Sequence, residues 1–424
     1  MKIIHVYPAT CEYAYPKYLN PKLDPDQFDL EIMCNTDLEV RYLKGLQELG
    51  VDCTLLYPRR FNVAVKSFTH RGGYRLVRFP VSFFKGKIGK EYSLLMLKYI
   101  RKEKPDLVHY HGIFGGGKLW PIRFFNIVAL FCKINKIPFF GWYHVGGMSP
   151  GRIENILRNI PVVKNVMFFL KSWPIKIVSG ITSINHVGLK RLFDPRHPEY
   201  YGYDFSKIPY KLTSNTFNPK FFYPVERDKA IRKAGLDPKK RYIIIVSRLF
   251  EQKGLHYLIN VLPQLIKKFP NVHLLVIGEF LEEAEDYKKY IYKTINELNI
   301  GEYVTFLGRI EHHQGLLYYL NASEVFILPT YMDSFAAVNI EAMACGVPVI
   351  STRQGEIPYY LKPGVGILVP EHDENELCKA IDKVLSGTFK YNWEEQKSIL
   401  AQYDYLNAAK SLKTWYEKIL DQKL

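Results

Sequence analysis

The chain has 424 residues, 47% hydrophobic and 24% charged, a length that calls for about two domains of α/β size and a composition that excludes a disordered chain. Its net charge of +16 sits in one half: residues 1–224 hold 33 Lys and Arg against 16 Asp and Glu (+17), while residues 225–424 hold 25 against 26 (−1). No apolar run reaches the ~20 residues of a membrane-spanning helix, no C-x-x-C pair joins the six cysteines, and no nucleic-acid module accompanies the charge, so a spanning protein, a disulfide scaffold and a nucleic-acid binder are set aside.

In chain order, KIIHVYP (residues 2–8) predicts a buried strand and not the apolar region of a signal peptide. A Pro- and Tyr-containing segment from Ala9 to Asp37 follows, too long for a tight α/β connection. LEVRYLKGLQELG (38–50) predicts a helix closed by Gly50, VDCTLLYP (51–58) a strand, and SLLMLKYIRKEKP (93–105) a second helix. DLVHYH (106–111) and KIPFFGWYH (136–144) predict strands whose polar residues gather at the carboxyl end. In the second half, RYIIIVSRL (241–249), HLLVIGE (273–279), YVTFLG (303–308), EVFILPT (324–330) and PVIST (348–352) predict strands. GLHYLINVLPQLIKKF (254–269) and the stretch around Ile340 to Ala344 predict helices. This alternation predicts two doubly wound parallel sheets, with ligands at the carboxyl ends of the strands, where His111, His144, Arg248, Gly278 and Gly308 lie. The join is expected within Ser214 to Pro224, giving domains 1–222 and 223–399. The tail from Asn392 is helical by period, and its aromatic residues suggest docking rather than a free end.

Two segments carry candidate chemistry. In VSRLFEQKG, Arg248 leaves a strand and Lys253 stands at the start of a helix, so both cations lie near a helix amino end that already favours an anion. Spacing alone leaves open a phosphate site or two solvated cations. In MDSFAAVNIEAMACGVPVI, Asp333 and Glu341 are eight residues apart, or about 12 Å if the stretch is mostly helical. That is too far for a glycosidase pair and suits the two ends of an extended ligand. Ser334, Ala336 and Ala337 are small enough to leave backbone N–H groups accessible to a pyrophosphate. A buried helix with polar ends is the alternative.

Together these segments, with LGRI before the second, resemble the retaining glycosyltransferases of family 4. The resemblance spans residues 240–370 and, more loosely, the first half through KIIHVYP, KPDLVHYH and SNTFNPKFFYP. It implies the GT-B fold: two facing Rossmann-like doubly wound domains with a cleft between them and a C-terminal helix, about residues 400–424, returning to the first. It implies that Arg248 and Lys253 hold the diphosphate of a nucleotide sugar, that Glu341 takes the ribose hydroxyls and Asp333 those of the transferred sugar, and that the backbone of Phe335 to Ala337, with Ser334 and Gly278 beside it, meets the phosphate and sugar. Ile310 lies where the family's main chain meets the base. His144, in WYHVGG, matches the histidine that reaches the donor sugar from the acceptor side, and His111 and Gly116 are further acceptor-side candidates. The implied reaction moves a sugar to an acceptor hydroxyl, on a lipid-linked or phosphate-bearing glycan of surface polysaccharide or glycoconjugate synthesis, with retention and with no metal or other cofactor.

The sequence departs from the family pattern at named places. The first acidic position, usually Glu, is Asp333; the usual Gly after the Phe is Ala336; the Asn-Gly turn before the donor domain is Asn215-Thr216; and the segment from Ala9 replaces a short Gly-Gly loop. Asp24 and Asp26 flank Pro25 but lie in the wrong domain for a catalytic metal. His109 with His111, and His312 with His313, lack a third ligand at a usual zinc spacing and are expected to be structural or solvated. Residues 51–200 carry 25 basic against 7 acidic side chains, which with the Lys-studded stretch Arg152 to Ile177 suggests an anionic membrane surface as partner to a cytoplasmic protein. A nucleotide-sugar epimerase of the same architecture and a non-catalytic nucleotide-sugar binding protein are the rival readings.

Overall fold

A computed structural model describes residues 1–7, 41–59, 64–70, 72–80, 93–112, 124–143, 173–194, 196, 207–213, 215–310 and 315–422. The expectations placed on His144, Gly116, the 9–37 segment, Asp24 to Asp26, His312 and His313, and on 152–172, lie outside these residues. The chain divides into two compact units, Met1–Ser214 with Tyr405–Leu424, and Asn215–Asp404. The division falls at Asn215, before the expected 222/223, because Phe217 and Phe222 are buried in the core of the second unit and the Phe217 N–H donates to the Tyr403 carbonyl at 2.9 Å.

Among the described residues, the first unit is an eight-stranded sheet in the order β3-β4-β2-β1-β5-β6-β7-β8. Its strands are β1 (Lys2–Val6), β2 (Asp52–Arg59), β3 (Lys66–Thr69), β4 (Arg75–Pro80), β5 (Leu107–His111), β6 (Phe139–Tyr143), β7 (Gly180–Ser183) and β8 (Tyr210–Leu212). All pairings are parallel except β3 with β4. Residues alternate between the faces as the pleat requires. Ile3 and Leu107 join the layer under α1 (Arg41–Glu48), while Ile4 and Val108 join the layer under α2 (Leu94–Glu103) and α3 (Phe124–Ile134). A short helix, α4 (His186–Phe193), capped by the Asn185 side chain on the Gly188 N–H, precedes β8.

The second unit is a six-stranded parallel sheet, β11-β10-β9-β12-β13-β14, formed by β9 (Arg241–Val246), β10 (Val272–Ile277), β11 (Val304–Gly308), β12 (Ser323–Leu328), β13 (Val349–Thr352) and β14 (Gly366–Val369). Its helices are α5 (Arg227–Ala234), α6 (Leu255–Lys268), α7 (Glu285–Glu297), α8 (Leu316–Ala322), α9 (Ala337–Ala344), α10 (Ile357–Tyr360), α11 (Glu374–Leu385) and α12 (Trp393–Tyr403). α6 buries Leu255, Leu258, Ile259, Leu262 and Leu265, one apolar stripe at helical spacing, and burial of each such side chain contributes about 1.5–3 kcal/mol.

The tail is helical, as two successive helices. Asp404 has extended backbone (φ −61°, ψ 130°) and ends α12, and α13 (Tyr405–Asp421) begins at the next residue and packs on α1 in the first unit. Gly45 permits that close crossing, since a Cβ there would lie 2.6 Å from the Ala409 Cβ and 2.8 Å from the Tyr405 carbonyl. The described cysteines, Cys53, Cys132, Cys345 and Cys378, are free and buried. Burial pushes the Cys53 and Cys132 thiols up to about 12, as expected for packing rather than reactive cysteines. Among the described residues no helix is long and apolar enough to cross a membrane.

Candidate active site

The carboxyl ends of β9, β10 and β11 are tied together by the backbone. The Ser247 N–H donates to the Ile277 carbonyl (3.0 Å), Leu249 to Glu279 (2.8 Å) and Gly278 to Gly308 (2.8 Å). Gly278 has φ +134°, and a Cβ there would stand 1.8 Å from the Ser247 carbonyl oxygen. Only glycine fits this position, so Gly278 holds the turn from which Arg248 emerges; nothing in its geometry makes it a separate binding group.

From that turn the chain makes one 3₁₀ turn, Glu251–Lys253, and enters α6 through Gly254. Arg248 is exposed, and its guanidinium lies 5.6 Å from the centroid of the Phe250 ring. The Lys253 ammonium lies 5.7 Å from the same centroid, so both cations sit within cation–π range of one ring, a favourable placement for each. The loop after β12 is pinned beside this turn: the Thr330 hydroxyl and the Tyr331 N–H both donate to the Gln252 carbonyl, at 2.8 and 3.1 Å.

That loop carries Asp333 to Lys253. Lys253 Nζ donates to Asp333 Oδ2 at 2.5 Å, with both side chains 13% exposed. Asp333 Oδ1 accepts from the Phe335 N–H (2.9 Å) and the Ala336 N–H (2.7 Å). Two expectations change here. Lys253 is not a free surface cation, because it already holds a carboxylate; and the Phe335 and Ala336 N–H groups are not open to a phosphate, because Asp333 occupies them.

The helical premise behind the expected ~12 Å between Asp333 and Glu341 holds only from Ala337 onward, because residues 333–336 form a turn in which Asp333 Oδ1 accepts from the backbone. Ala336 adopts the left-handed conformation, φ 54° and ψ 65°, where alanine is strained and glycine is not. This is the physical reason a glycine is the natural residue there. The turn is braced from below by Tyr360, whose hydroxyl donates to the Phe335 carbonyl at 2.8 Å and receives the Asn339 amide at 3.0 Å. Burial holds the Tyr360 hydroxyl well above its ordinary range, so it acts as a neutral donor. The Phe335 ring is buried against Tyr360 and Tyr403, a packing role. The Ser334 carbonyl accepts from the Glu356 N–H at 3.1 Å. Glu341 lies in α9 and is 2% exposed. Ile310, two residues past Gly308, packs partly buried on the same core.

Sequence reasoning therefore brings Arg248, Lys253 and Asp333 to one place and misses what binds them: the Phe250 ring that both cations approach and the Thr330–Gln252 lock. The β12 loop lies 80 residues downstream of Lys253, and only the adjacency of β9 and β12 in the sheet could have shown the pairing.

In the first unit His111 is 3% exposed, and its Nε2 lies 3.2 Å from His5 Nδ1 and 3.1 Å from the Tyr42 hydroxyl. The acceptor-side expectation for His111 is corrected accordingly, because its imidazole is committed inside the core. The third histidine that the local sequence around His109 and His111 lacks is supplied by β1, where His5 pairs in register with His109. Burial, and then the neighbouring His111, hold the His5 imidazole well below its ordinary range and so neutral.

The two parallel α/β units define the GT-B class of glycosyltransferase folds. Anabaena Alr3699/HepE, solved in complex with UDP, superposes with a TM-score of 0.68 over 99% of this chain and 100% of that chain, at 16% identity. Residues 226–401 match the family described as glycosyl transferases group 1. The D-inositol 3-phosphate glycosyltransferase of Mycobacterium sp. (strain KMS) is 32% identical over 166 residues, which are 39% of this chain and 37% of that protein. A GDP-mannose-dependent monoacylated alpha-(1-6)-phosphatidylinositol monomannoside mannosyltransferase of Corynebacterium glutamicum is 28% identical over 195 residues, 44% of this chain and 48% of that one. The alignments thus span less than half the length of these curated relatives. The family match lies within the second unit, Asn215–Asp404.

Proposed function

We propose that the protein is a retaining glycosyltransferase that moves a sugar from a nucleoside diphosphate donor to an acceptor hydroxyl without a metal ion. The observation that carries this reading is the anion cradle of the second unit: Lys253 beside a carboxylate that two backbone N–H groups hold in place, with Arg248 near the same Phe250 ring. On donor binding the diphosphate takes the two cations. As the bond from the anomeric carbon to the phosphate oxygen breaks, negative charge collects on the leaving group, and fixed cations stabilise it without reorganisation. The acceptor oxygen bonds to the anomeric carbon on the same face, and its proton passes to the departing phosphate oxygen. Asp333 turns to the hydroxyls of the sugar, Glu341 to the ribose, and the main chain at Ile310 to the base. His144 serves the donor sugar.

One curated relative is named for D-inositol 3-phosphate and the other for a monoacylated phosphatidylinositol monomannoside. With 25 basic and 7 acidic side chains in residues 51–200, they support a phosphate-bearing or lipid-linked acceptor and a peripheral contact with an anionic membrane. A thermal-shift panel of UDP-, GDP- and ADP-sugars identifies the donor, since a specific ligand raises the midpoint by mass action. With that donor, Lys253→Ala lowers turnover by on the order of 10². Near-normal turnover in a folded Lys253→Ala variant removes the mechanism. Equal, salt-insensitive binding to neutral and anionic vesicles removes the membrane contact.

A further inference from the structure

We propose that the first unit carries a further ligand site, at the amino ends of its strands, for an amphipathic phosphate monoester. β1, β5, β6 and β7 are consecutive in the sheet. The residues just before them, Met1, Asp106, Pro138 and Ser179, line a cavity of about 830 Å³. That volume is within the range of about 300–1,000 Å³ typical of small-molecule sites. Ligands of doubly wound sheets bind at the carboxyl ends of the strands; this cavity lies at the opposite edge and is separate from any such crevice.

The apolar lining straddles the sheet. Met1 and Leu420 pack on the layer under α1, and Ile137 and Ile177 on the opposite layer. An apolar body can therefore lie across the strand ends with both core layers beneath it. The charges divide by wall. Lys133 and Lys136, at and just after the end of α3, and Lys176, in the 3₁₀ turn Trp173–Ile177, are all exposed. α3 and that turn pack against each other, so the three ammoniums belong to one wall. Glu417 and Asp421 come from the other wall, the end of α13.

Two of the acidic groups are already engaged. Asp106 Oδ2 accepts the Lys2 N–H at 2.7 Å, and the Glu417 carboxylate has Lys413 at 3.9 Å. Among the described residues Lys133, Lys136 and Asp421 form no ion pair, so the two walls do not close on each other. Lys133 offsets the dipole at the carboxyl end of α3, but Lys136 and Lys176 lie outside that helix. Lys136 stands at φ 55°, in the left-handed region that glycine and asparagine prefer, so its ammonium is placed there against the preference of the backbone. Three ammoniums facing one uncommitted carboxylate leave an excess of two positive charges. A phosphate monoester, at about −1.5 to −2 near pH 7, matches that excess, and a single carboxylate would not. No bond is made or broken: the phosphate seats on the lysines, its apolar body on Ile137, Ile177 and Leu420, and the ligand ties the end of α13 to α3. This inference is independent of the proposed transfer reaction.

The test titrates the full chain calorimetrically with octyl phosphate below its micelle concentration, with inorganic phosphate, octanol and octylammonium as separate arms. Expected are about one site per chain for octyl phosphate, a rise in melting temperature with it, and binding at least about tenfold weaker for each of the other three probes. Lys133→Gln combined with Lys136→Gly removes two exposed ammoniums and relieves the left-handed lysine, so the chain stays folded; it should weaken octyl phosphate by about tenfold. Lys253→Ala, which removes a cation of the second unit, should leave that affinity unchanged. The proposal is overturned if octyl phosphate binds no better than any of the other probes, or if the double variant binds it as the parent does. It is equally overturned if Lys253→Ala abolishes binding, which would place the anion in the second unit.

Discussion

Asp333→Asn isolates the ion pair at the centre of the candidate site. In the parent chain the Lys253 ammonium holds Asp333 Oδ2 at 2.5 Å, so a diphosphate must displace a carboxylate before it gains that cation. Two unit charges ~4 Å apart attract by about 4 kcal/mol at an effective dielectric of 20. With both side chains only 13% exposed, desolvation offsets most of this, leaving a net on the order of 1–2 kcal/mol, between the exposed and buried limits for such pairs. Asparagine keeps an oxygen for the Phe335 and Ala336 N–H groups and removes the charge. The freed ammonium should then bind a bare nucleoside diphosphate about 5–30-fold more tightly, while transfer from the intact donor falls. Calorimetric titration of parent and variant with UDP and GDP measures the first effect, and nucleotide release from the sugar donor the second. Unchanged or weaker diphosphate binding in a variant that melts like the parent refutes the argument, because Lys253 would then not be the cation the diphosphate meets.

Ala336→Gly should stabilise the second unit by about 1 kcal/mol in urea unfolding, since it relieves a left-handed alanine at φ 54°; a loss of stability shows instead that the buried methyl outweighs the strain. Gly278→Ala, with a Cβ due 1.8 Å from a carbonyl oxygen, should cost on the order of 3 kcal/mol or more, and an unchanged urea midpoint contradicts the geometry described for the β10 turn. The His273 imidazole is pushed down to about 4, by burial first and the Lys240 ammonium second. The unfolded chain, with its histidine at the ordinary value of about 6.5, therefore binds the extra proton between pH 6.5 and 4. Stability falls as pH falls through that window. His5 and His256 are lowered in the same direction. Melting temperatures between pH 7.5 and 4.5 should thus decline on acidification, less steeply in His273→Gln, and identical slopes exclude His273 as a contributor.

Much of the architecture was legible because each long strand is buried on both faces and reads as an apolar run. RYIIIV, HLLVI and EVFIL lie in β9, β10 and β12 as their composition indicates. The elements the sequence hid are of two kinds. KSFT and RLVRFP in β3 and β4 are short and interrupted by Lys66, Arg75 and Arg78, and β4 takes its place by pairing with β2 and β3, which the local pattern does not reveal. GITS and YKL in β7 and β8 are too short to show a period. At the site, Arg248 and Lys253 could be found because a strand-to-helix junction is a local signal. The Lys253–Asp333 pair could not, since it depends on β12 lying beside β9 although α6, β10, α7, β11 and α8 separate them in the chain. The His5, His109 and His111 cluster was half legible: the two residues in β5 share a face by alternation, but the third comes from a strand about a hundred residues earlier.

On the proposed function, the exchange of partners at Lys253 also bears on turnover. An intact donor that draws the ammonium away from Asp333 offers the carboxylate new partners, the hydroxyls of its sugar. A bare nucleoside diphosphate draws the same ammonium away and offers nothing in return, so Asp333 keeps only the Phe335 and Ala336 N–H groups. The pair therefore weakens product binding relative to donor binding by the free energy of the lost contact, and so promotes product release, a step that often limits enzymes of this kind. A glutamate, one methylene longer, would reach the sugar from farther back. Aspartate at this position keeps the carboxylate close enough to Lys253 for the competition to operate, which gives the departure from the family's usual residue a physical consequence: the ratio of product to donor dissociation constants should shrink in Asp333→Asn.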